Sequence, residues 1–464
     1  MKEMRNNVKM VAGLFVVMFI LLGSYLVYSV TIYSQRWLSS PYNPRIKPGN
    51  VTTVPGDITD RTGTVLASSK NGERIYAGEK ALRSAVSHVV GDRYGYCVTG
   101  AESFQAMKLL GYNVNIIDRF VQLIEGKPAR GSDIALTVDA KLHLTAASAL
   151  GKKRGTVVIL NYKTGEILCM VSQPAFDPRN AEAVATGESD AAPLLNRATQ
   201  GRYPPGSVFK IVTAAAAMEN LDMEGWTHTC TGEYAIGDSM ITCEGKHGKV
   251  DLQKAFTVSC NTAFAKMSQE LGVAKLAKQA EKLGFNREWM YDDLMIYQSQ
   301  YNANGATSAG NVAWSAVGQD TDLATPIHMA MLVGAIANDG VMMQPLLLKS
   351  VTGEIGLLSR QSSPKTDKRI MSAEIAQSLK SMMIDVVKSG TGKRAAIKGV
   401  KVGGKTGTAE VGGGKAPHAW FVGMVEDAEH PLAVCVFIEN GGHGGTAAAP
   451  IAKKLLAKAI DLGY

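Results

Sequence analysis

The longest uncharged segment of the chain lies near its N-terminus. Residues 10–30 carry no charged side chain, and three basic residues, Lys2, Arg5 and Lys9, precede them. A helix rises ~1.5 Å per residue, so this segment can span a hydrocarbon core ~30 Å thick. Because a basic flank stays in the cytoplasm, we predict a cytoplasmic tail at 1–9, a single transmembrane anchor at 10–30 and a remainder outside the cytoplasm. A cleaved signal peptide is the alternative, but its apolar core is usually only roughly 7 to 15 residues long.

Apolar segments farther along the chain predict strands. Residues 156–160 and 167–171 flank a turn at Lys163-Thr164-Gly165 and are typical of a hairpin. Segments 400–410, 419–425 and 432–438 predict three antiparallel strands, and an Ala- and Lys-rich segment at 447–460 predicts a helix packed on them. The first of these three strands is rich in glycine, which lets another backbone approach closely.

The centre of the chain combines a turn with an almost wholly apolar helix. Two prolines and a glycine precede Ser207, and the Ala-rich segment at 211–218 predicts a buried helix that begins near Ser207. Ser207 and Lys210 share one face of that helix, where the amine can reach the hydroxyl. A lysine neutralised by burial can take the proton that makes a serine nucleophilic. On its own, however, Ser-x-x-Lys is better explained by an N-cap serine and a solvated lysine.

Two further motifs favour the catalytic interpretation. Ser259-Cys260-Asn261 lies at the predicted bend between two helices within 251–272, and Lys405-Thr406-Gly407-Thr408 lies on the Gly-rich strand. Helix capping would otherwise explain Ser259 and Asn261, and an ordinary solvated strand lysine would explain Lys405. The ordered trio of motifs is typical of penicillin-binding proteins and class A β-lactamases.

With these motifs in this order, the sequence resembles the class B penicillin-binding proteins, membrane-anchored D,D-transpeptidases that cross-link peptidoglycan. The likeness is densest at 155–450 and includes Asn196-Arg197-Ala198, Gly318-Gln319-Asp320 and His418-Ala419-Trp420-Phe421-Val422-Gly423. Cys260 stands where the motif often has aspartate, a position at which family members differ. The resemblance implies an α/β fold of the α+β type, with an antiparallel sheet flanked by helices and a small N-terminal pedestal. We therefore expect a linker and non-catalytic pedestal at 31–130, with an extended linker at 42–49, and a transpeptidase domain at 131–464.

The resemblance also implies roles for individual residues. Ser207 would be the nucleophile, Lys210 its base and Ser259 a proton relay. The expected substrate-binding residues are Asn261, Lys405, Thr406, Gly407 and Thr408. Lys405 would attract a carboxylate, and the backbone N–H groups of Ser207 and Thr408 would form an oxyanion hole.

The implied function is a penicillin-sensitive peptidoglycan D,D-transpeptidase, and two alternatives remain beside it. A membrane-anchored β-lactam hydrolase would need a base for its deacylating water, which no separate motif clearly supplies. A non-catalytic β-lactam sensor would need a signalling module, yet only about nine residues precede the anchor, and a scaffold need not keep all three motifs. The expected partners are stem peptides, β-lactams as covalent inhibitors, the membrane and a membrane glycan polymerase.

Charge and cysteine content indicate whether nucleic-acid binding, disulfides or metal binding should be expected. The chain of 464 residues has 49 Lys+Arg against 41 Asp+Glu, and no dense basic run interleaved with aromatics, so a nucleic-acid partner is not expected. Its six cysteines would lie outside the cytoplasm, where disulfides are permitted. Cys230 and Cys243 are the best candidate pair by spacing, whereas Cys169 and Cys435 lie in apolar strands. No Cys/His spacing is typical of a zinc site, so we expect no metal and no cofactor.

Overall fold

The computed structural model describes residues 2–38, 53–70, 72–112, 116–126, 128–187, 189, 191–237, 239–302, 308–319, 321–353 and 358–464. Its first element, α1, is the helix Lys2–Leu38. Within α1, the segment Met4–Ser29 is 26 residues long, exposed and apolar enough to cross a membrane. This segment overlaps residues 10–30, which the sequence predicts as the anchor. The predicted linker at 42–49 lies outside the described residues.

Short elements follow α1 and lead into a mixed sheet. They are β1 Ile58–Thr59, β2 Val65–Lys70, β3 Glu73–Tyr76, α2 Lys80–Ala85, α3 Ser87–Val90, α4 Ala101–Phe104, α5 Ala106–Leu109, α6 Ile116–Ile124 and β4 Asp133–Leu136. A buried ion pair between Arg74 Nε and Glu102 Oε1, 2.6 Å long, joins β3 to α4.

The remaining elements form the larger part of the molecule. The helices are α7 Ala140–Leu150, α8 Ala181–Thr186, α9 Lys210–Asn220, α10 Leu252–Thr257, α11 Asn261–Lys282, α12 Ala309–Ala316, α13 Pro326–Ala337, α14 Ala373–Lys388, α15 Gly444–Ala447 and α16 Ala449–Asp461. The strands are β5 Gly155–Asn161, β6 Ile167–Gln173, β7 His228–Cys230, β8 Glu233–Ile236, β9 Ser239–Thr242, β10 Gly248–Val250, β11 Trp289–Met290, β12 Met295–Ile296, β13 Val341–Met343, β14 Leu348–Thr352, β15 Leu358–Gln361, β16 Thr366–Arg369, β17 Val402–Ala409, β18 His418–Val425 and β19 Leu432–Ile438.

The central sheet has five antiparallel strands in the order β17-β18-β19-β5-β6. Helix α13 covers one face, and α7 and α16 cover the other, so the strands are buried on both faces. Alternate residues of β5 illustrate this, since Val158 packs with the α13 cluster and Val157 and Ile159 with the α16 cluster. Burial on both faces explains why these strands read as continuous apolar segments. The predicted hairpin, the three strands, the C-terminal helix and the fold class are confirmed.

The second sheet joins early and late parts of the chain. Its order is β15-β14-β4-β1-β2-β3. Strand β4 pairs in parallel with β1, with Ile134 opposite Ile58, and β14 pairs with the other edge of β4. The described strands therefore cross the domain boundary that we expect at residue 130, and that boundary stays a prediction.

A 3₁₀ turn at Gly206–Phe209 precedes α9 and packs against strand β17. Gly206 has φ +55°, and a Cβ added there would lie 2.5 Å from the carbonyl oxygen of Thr408. Only glycine tolerates both the backbone conformation and the contact. All of α9 from Lys210 to Ala217 is buried in the main core cluster. Ser207 therefore lies where the core helix α9 meets the edge strand β17.

Candidate active site

Ser207 lies in a rigidly held turn and lines an open cleft of about 720 Å³. Before it, the carbonyl oxygen of Pro204 accepts a hydrogen bond from Trp420 Nε1 at 2.9 Å. The Gly206 N–H donates to the carbonyl oxygen of Gly318 at 2.8 Å. Since Ser207 itself is only half-buried, its hydroxyl is reachable from the cleft while its backbone is fixed.

Lys210 is fully buried, and its amine faces the bend between α10 and α11. Its Nζ donates to the carbonyl oxygen of Ser259 at 2.7 Å, to Ser259 Oγ at 3.1 Å and to Asn261 Oδ1 at 2.6 Å. The direct bond to Ser207 that the spacing allows is not formed among these described residues. Burial lowers the pKa of Lys210 to about 8, so a substantial fraction of the amine is neutral near neutral pH.

Ser259 forms the bend with an unusual backbone conformation. Its φ of +59° lies in the left-handed region, which residues other than glycine seldom occupy. Such local strain persists only where the surrounding structure determines it, and it often marks functional sites. Helix α10 ends just before Ser259 and α11 begins at Asn261, so the predicted pair of helices with the motif at their junction is confirmed.

Lys405 approaches the same hydroxyl from the sheet. Its Nζ donates to Ser259 Oγ at 2.9 Å and to the carbonyl oxygen of Thr406 at 3.1 Å, and its side chain is fully buried. Burial, and then the positive charge of Lys210, hold the pKa of Lys405 well below its usual range. The hydroxyl oxygen of Ser259 therefore accepts from two buried amines. Lys405 is not among the described residues that line the cleft.

Strand β17 is the edge of the central sheet and forms one wall of the cleft. Thr406 and Thr408 line the cleft, and Thr406 Oγ1 lies 2.6 Å from Thr391 Oγ1. Gly407 faces the Ser207 turn, where an added Cβ would lie 2.9 Å from the carbonyl oxygen of Pro205. The structure thus brings together all eight site residues that the sequence predicts: five line the cleft, Lys210 and Lys405 hydrogen-bond to Ser259, and Gly407 faces the Ser207 turn.

Several cleft residues have no role in the sequence-based prediction. Lys393 and Arg394 are exposed and line the cleft, and Gln319 Nε2 donates to the carbonyl oxygen of Thr408 at 3.4 Å. The pair Lys393-Arg394 falls in a Gly-containing segment shortly before β17, and such a basic pair near a carboxylate-binding motif is a usable signal.

The predicted pairing of Cys230 with Cys243 is wrong in this structure. All six cysteines are free, and Cys243 Sγ instead lies 3.8 Å from Cys260 Sγ. That separation is well beyond the ~2.05 Å of a disulfide. The fold brings Cys230, Cys243 and Cys260 close together without a bond between any two of them. Cys169 and Cys435 are fully buried in β6 and β19, as expected.

Comparison with known proteins agrees with this geometry. The sequence model described as "Penicillin binding protein transpeptidase domain" matches residues 155–457. The peptidoglycan D,D-transpeptidase PbpA of Mycolicibacterium smegmatis is 30% identical, over 99% of this chain and 100% of the relative.

Solved structures extend the comparison to the fold. The D,D-transpeptidase domain of a peptidoglycan glycosyltransferase from Eggerthella lenta has 31% identity and a TM-score of 0.78, covering 89% of this chain and 99% of that one. Penicillin-binding protein A from M. tuberculosis, solved as a ceftriaxone acyl-enzyme complex, has 27% identity and a TM-score of 0.79, covering 88% and 98%. The family match over most of the chain and the full-length relative establish that this chain belongs to the penicillin-binding protein transpeptidase family, as a class B member.

Proposed function

We propose that this chain is a peptidoglycan D,D-transpeptidase that works through an acyl-enzyme on Ser207. Ser207 Oγ attacks the carbonyl carbon of the penultimate residue in a stem peptide that ends in D-Ala-D-Ala, and its proton passes to Lys210 Nζ. The C–N bond breaks, and terminal D-alanine leaves with that proton on its nitrogen. An amine of a neighbouring stem peptide then attacks the ester, which regenerates the hydroxyl and completes the cross-link. A β-lactam would acylate the same oxygen by opening of its ring.

The observation that carries this proposal is the pair of buried amines around Ser259, next to Ser207. Neutral Lys210 is suited to accept a proton, because burial has already lowered its pKa to about 8. Ser259 Oγ accepts from both Lys210 and Lys405, which leaves its own proton available for transfer. We therefore assign Ser259 as the relay that carries a proton from Lys210 to the leaving nitrogen.

Asn261 is proposed to hold the peptide group of the substrate. Its Oδ1 accepts from Lys210, and its Nδ2 donates to the carbonyl oxygen of Thr242 at 2.7 Å. An amide nitrogen has two hydrogens, so one remains for a substrate carbonyl. Because both of these contacts orient the amide, Asn261 would bind substrate without first having to be ordered.

The terminal carboxylate of the substrate is assigned to the β17 side of the cleft. The Thr406 and Thr408 hydroxyls line that wall, and exposed Lys393 and Arg394 add positive charge beside it. Charge-assisted hydrogen bonds to a carboxylate are roughly twice as strong as neutral ones. The backbone N–H groups of Ser207 and Thr408 are proposed as the oxyanion hole, and one such donor is typically worth ~2.7 to 4 kcal/mol of barrier.

Helix α1 is proposed to anchor the protein in the cell membrane with its catalytic part outside the cytoplasm. The basic residues before the apolar segment support that orientation. A membrane glycan polymerase, which would supply uncross-linked strands, is the proposed partner. Loss of membrane association on removal of residues 1–38 would be the simplest check of the anchor.

The test is intact mass spectrometry of the full-length protein in detergent with benzylpenicillin. We expect a stable adduct on wild type, none on Ser207→Ala, and an unchanged adduct on Ser389→Ala, which alters an exposed serine outside the cluster. Exchange of the terminal D-alanine of a stem peptide for another D-amino acid should follow the same pattern. A persistent adduct on Ser207→Ala would refute the assignment, and rapid turnover of the drug would favour a hydrolase instead.

A further inference from the structure

Three cysteines and a histidine converge beside the catalytic bend. Cys230 is the last residue of β7, Cys243 directly follows β9 and His247 directly precedes β10. Cys260 lies between Ser259 and Asn261, directly before α11. One ligand atom from each lies within 4.8 Å of all the others. No other cluster of three or more such groups occurs in the part of the chain that the structure describes.

Two separations within this cluster match the edges of a tetrahedral metal site. With Zn–S bonds of ~2.3 Å and Zn–N bonds of ~2.0 to 2.1 Å, tetrahedral angles place sulfurs ~3.8 Å apart and a sulfur ~3.6 Å from a nitrogen. Cys243 Sγ and Cys260 Sγ are 3.8 Å apart, and Cys230 Sγ is 3.4 Å from His247 Nδ1. A disulfide would need the two sulfurs at ~2.05 Å, so the cluster is closer to a site for an ion than to a bridge.

Backbone donors surround the most connected sulfur. The N–H groups of Asn261 and Thr262, at the first turn of α11, point at Cys243 Sγ at distances of 3.1 and 3.4 Å. Thr262 Oγ1 also lies 3.3 Å from Cys260 Sγ. Donors aimed at sulfur stabilise a thiolate, and hydrogen bonds of this kind around metal ligands orient them and tune the metal.

The cluster borders the active-site cleft, through which an ion can reach it from solvent. Cys230 and Cys260 are buried, whereas Cys243 and His247 are half-buried and line the edge of the active-site cleft. A plausible metal site needs the right donors, suitable distances, hydrogen bonds around the ligands and an entry path. All four are present here.

We propose that Cys230, Cys243, His247 and Cys260 bind one structural Zn²⁺ ion in tetrahedral geometry. Three thiolates and one imidazole nitrogen form a set that zinc prefers among common divalent ions, and four protein ligands leave no open position for a substrate. The ion therefore has a structural role. The sequence does not reveal the site because its ligands are spread over thirty residues, and only Cys243 and His247 form a close pair, without the second close pair that marks zinc fingers.

The ion would fix the bend that carries Ser259 and Asn261. Cys260 lies between these two residues, and the carbonyl oxygen of Thr242, next to Cys243, accepts from Asn261 Nδ2 at 2.7 Å. A single ion would thus hold the β7–β10 segment against the motif and make its ligands positioning residues. The effect on catalysis rests on the proposed function, whereas metal binding itself does not.

The first experiment measures the metal content of the full-length protein in detergent, purified with a phosphine reductant and without chelator. Elemental analysis should find about one zinc per chain. Replacement of the ion by Co²⁺ should produce the intense visible d–d and thiolate charge-transfer bands of tetrahedral thiolate ligation. That spectrum reports on the ligands without depending on activity.

Matched variants connect the ion to these residues. Cys243→Ser and His247→Ala should each lower zinc affinity by roughly tenfold to a hundredfold or more, by comparison with the losses seen when the surroundings of a metal site are disturbed. Cys169→Ala, which removes a buried thiol outside the cluster, should retain the ion. If a variant fails to fold, chelator titration of the wild-type protein, followed by readdition of Zn²⁺, replaces it. Chelation should slow acylation by benzylpenicillin, and Zn²⁺ should restore the rate.

The outcomes separate this inference from the proposed function. Ser207→Ala should bind zinc normally although it cannot be acylated. Wild-type protein that remains free of zinc and Co²⁺ under reducing conditions would overturn the inference, whatever its acylation rate. A Cys243–Cys260 disulfide in freshly prepared, metal-free protein, seen as the loss of two hydrogens in the intact mass, would also overturn it. Equal zinc retention in Cys243→Ser and Cys169→Ala would exclude this ligand set.

Discussion

The chain contains the triplet Lys-Thr-Gly twice, and the two copies occupy very different surroundings. Lys163 lies in the hairpin turn between β5 and β6, where its Nζ is exposed and donates to Asn338 Oδ1 at 2.9 Å. Lys405 lies on β17, fully buried, and donates to Ser259 Oγ at 2.9 Å. Their nearest hydrogen bonds have the same length. Only the second contact is withheld from water, and Ser259 Oγ there also accepts from a second amine, that of Lys210.

The comparison shows that environment, and not the triplet, decides what these residues can do. An exposed lysine keeps most of its hydration, so its hydrogen bond contributes little. A buried lysine has lost its hydration, so its charge state and contacts depend on the few groups around it. The burial and the Ser259 contact of Lys405 are absent at Lys163. The following predictions test that difference, from the largest expected effect to the smallest.

Removal of the lysine amine should give the largest difference in acylation rate between the two triplets. We expect Lys405→Met to lower the second-order rate of benzylpenicillin acylation by roughly 10²- to 10³-fold, the size seen on loss of one preorganised donor at a reaction centre. Methionine keeps most of the buried volume, so the melting temperature should hold or rise as a buried charge is removed. Lys163→Met is the control, and its rate should equal that of wild type. Equal rates in both variants would contradict the comparison.

The pH dependence of acylation should report the second amine of the cluster. Lys210 has a pKa of about 8 and must be neutral to accept the serine proton, so the rate should rise with pH and level off above about 8. Between pH 6 and 8 the expected increase is about fiftyfold, because the neutral fraction of an amine with a pKa of about 8 rises from about 1% to about one half. Stopped-flow measurements with a chromogenic cephalosporin would record it. A profile that is flat across this range would show that Lys210 is not the base, and Lys163→Met should leave the profile unchanged.

Alanine at the two triplet glycines, Gly407 and Gly165, should have different effects, on the acylation rate and on stability. At Gly407 an added Cβ would press on Pro205 O at 2.9 Å and Val208 Cγ1 at 3.0 Å, which displaces the Ser207 turn from β17. We expect Gly407→Ala to slow acylation by about tenfold, since small misplacements are costly in catalysis.

Gly165→Ala is the counterpart. Its φ of +79° and a Cβ only 2.0 Å from Gln344 O should lower the free energy of unfolding by roughly 1–3 kcal/mol or more. The acylation rate of the folded protein should stay the same. Denaturant unfolding and acylation measured on both variants would reveal whether the two effects separate in this way.

Substitution of the two triplet threonines, Thr406 and Thr164, should give the smallest difference in acylation rate. Thr406 Oγ1 lies 2.6 Å from Thr391 Oγ1 and lines the cleft, so Thr406→Val should weaken acylation about fivefold to tenfold, as expected for one hydrogen bond of about 1 kcal/mol or slightly more. Thr164 Oγ1 accepts from the Glu166 N–H within the turn, at 3.3 Å. Thr164→Val should change the acylation rate by less than a factor of two, which corresponds to a barrier change of about 0.4 kcal/mol. A larger loss in Thr164→Val than in Thr406→Val would reverse the assignment.

The sequence predicted the central sheet well because its strands carry long apolar segments. Burial on both faces of β5 and β19 leaves a continuous pattern that few other structures produce. The helix pair around Ser259 was predicted for a similar reason, since polar residues interrupt the apolar pattern at the bend. The second sheet was not predicted, because β1 has only two residues and the paired strands β4 and β14 are more than 200 residues apart.

The sequence by itself determined the apolar anchor, the main strands and helices, and the three motifs whose order indicates the family. These are local properties, set by runs of side chains and by spacing within one or two turns. The tertiary structure alone decided that Lys405 is buried, that Lys210 bonds to Ser259 and not to Ser207, and that Cys230, Cys243 and Cys260 lie close together as free thiols. Each of these depends on how separate segments pack together. Packing sets the hydration and the neighbours of a charged or nucleophilic atom, and those two quantities determine its chemistry.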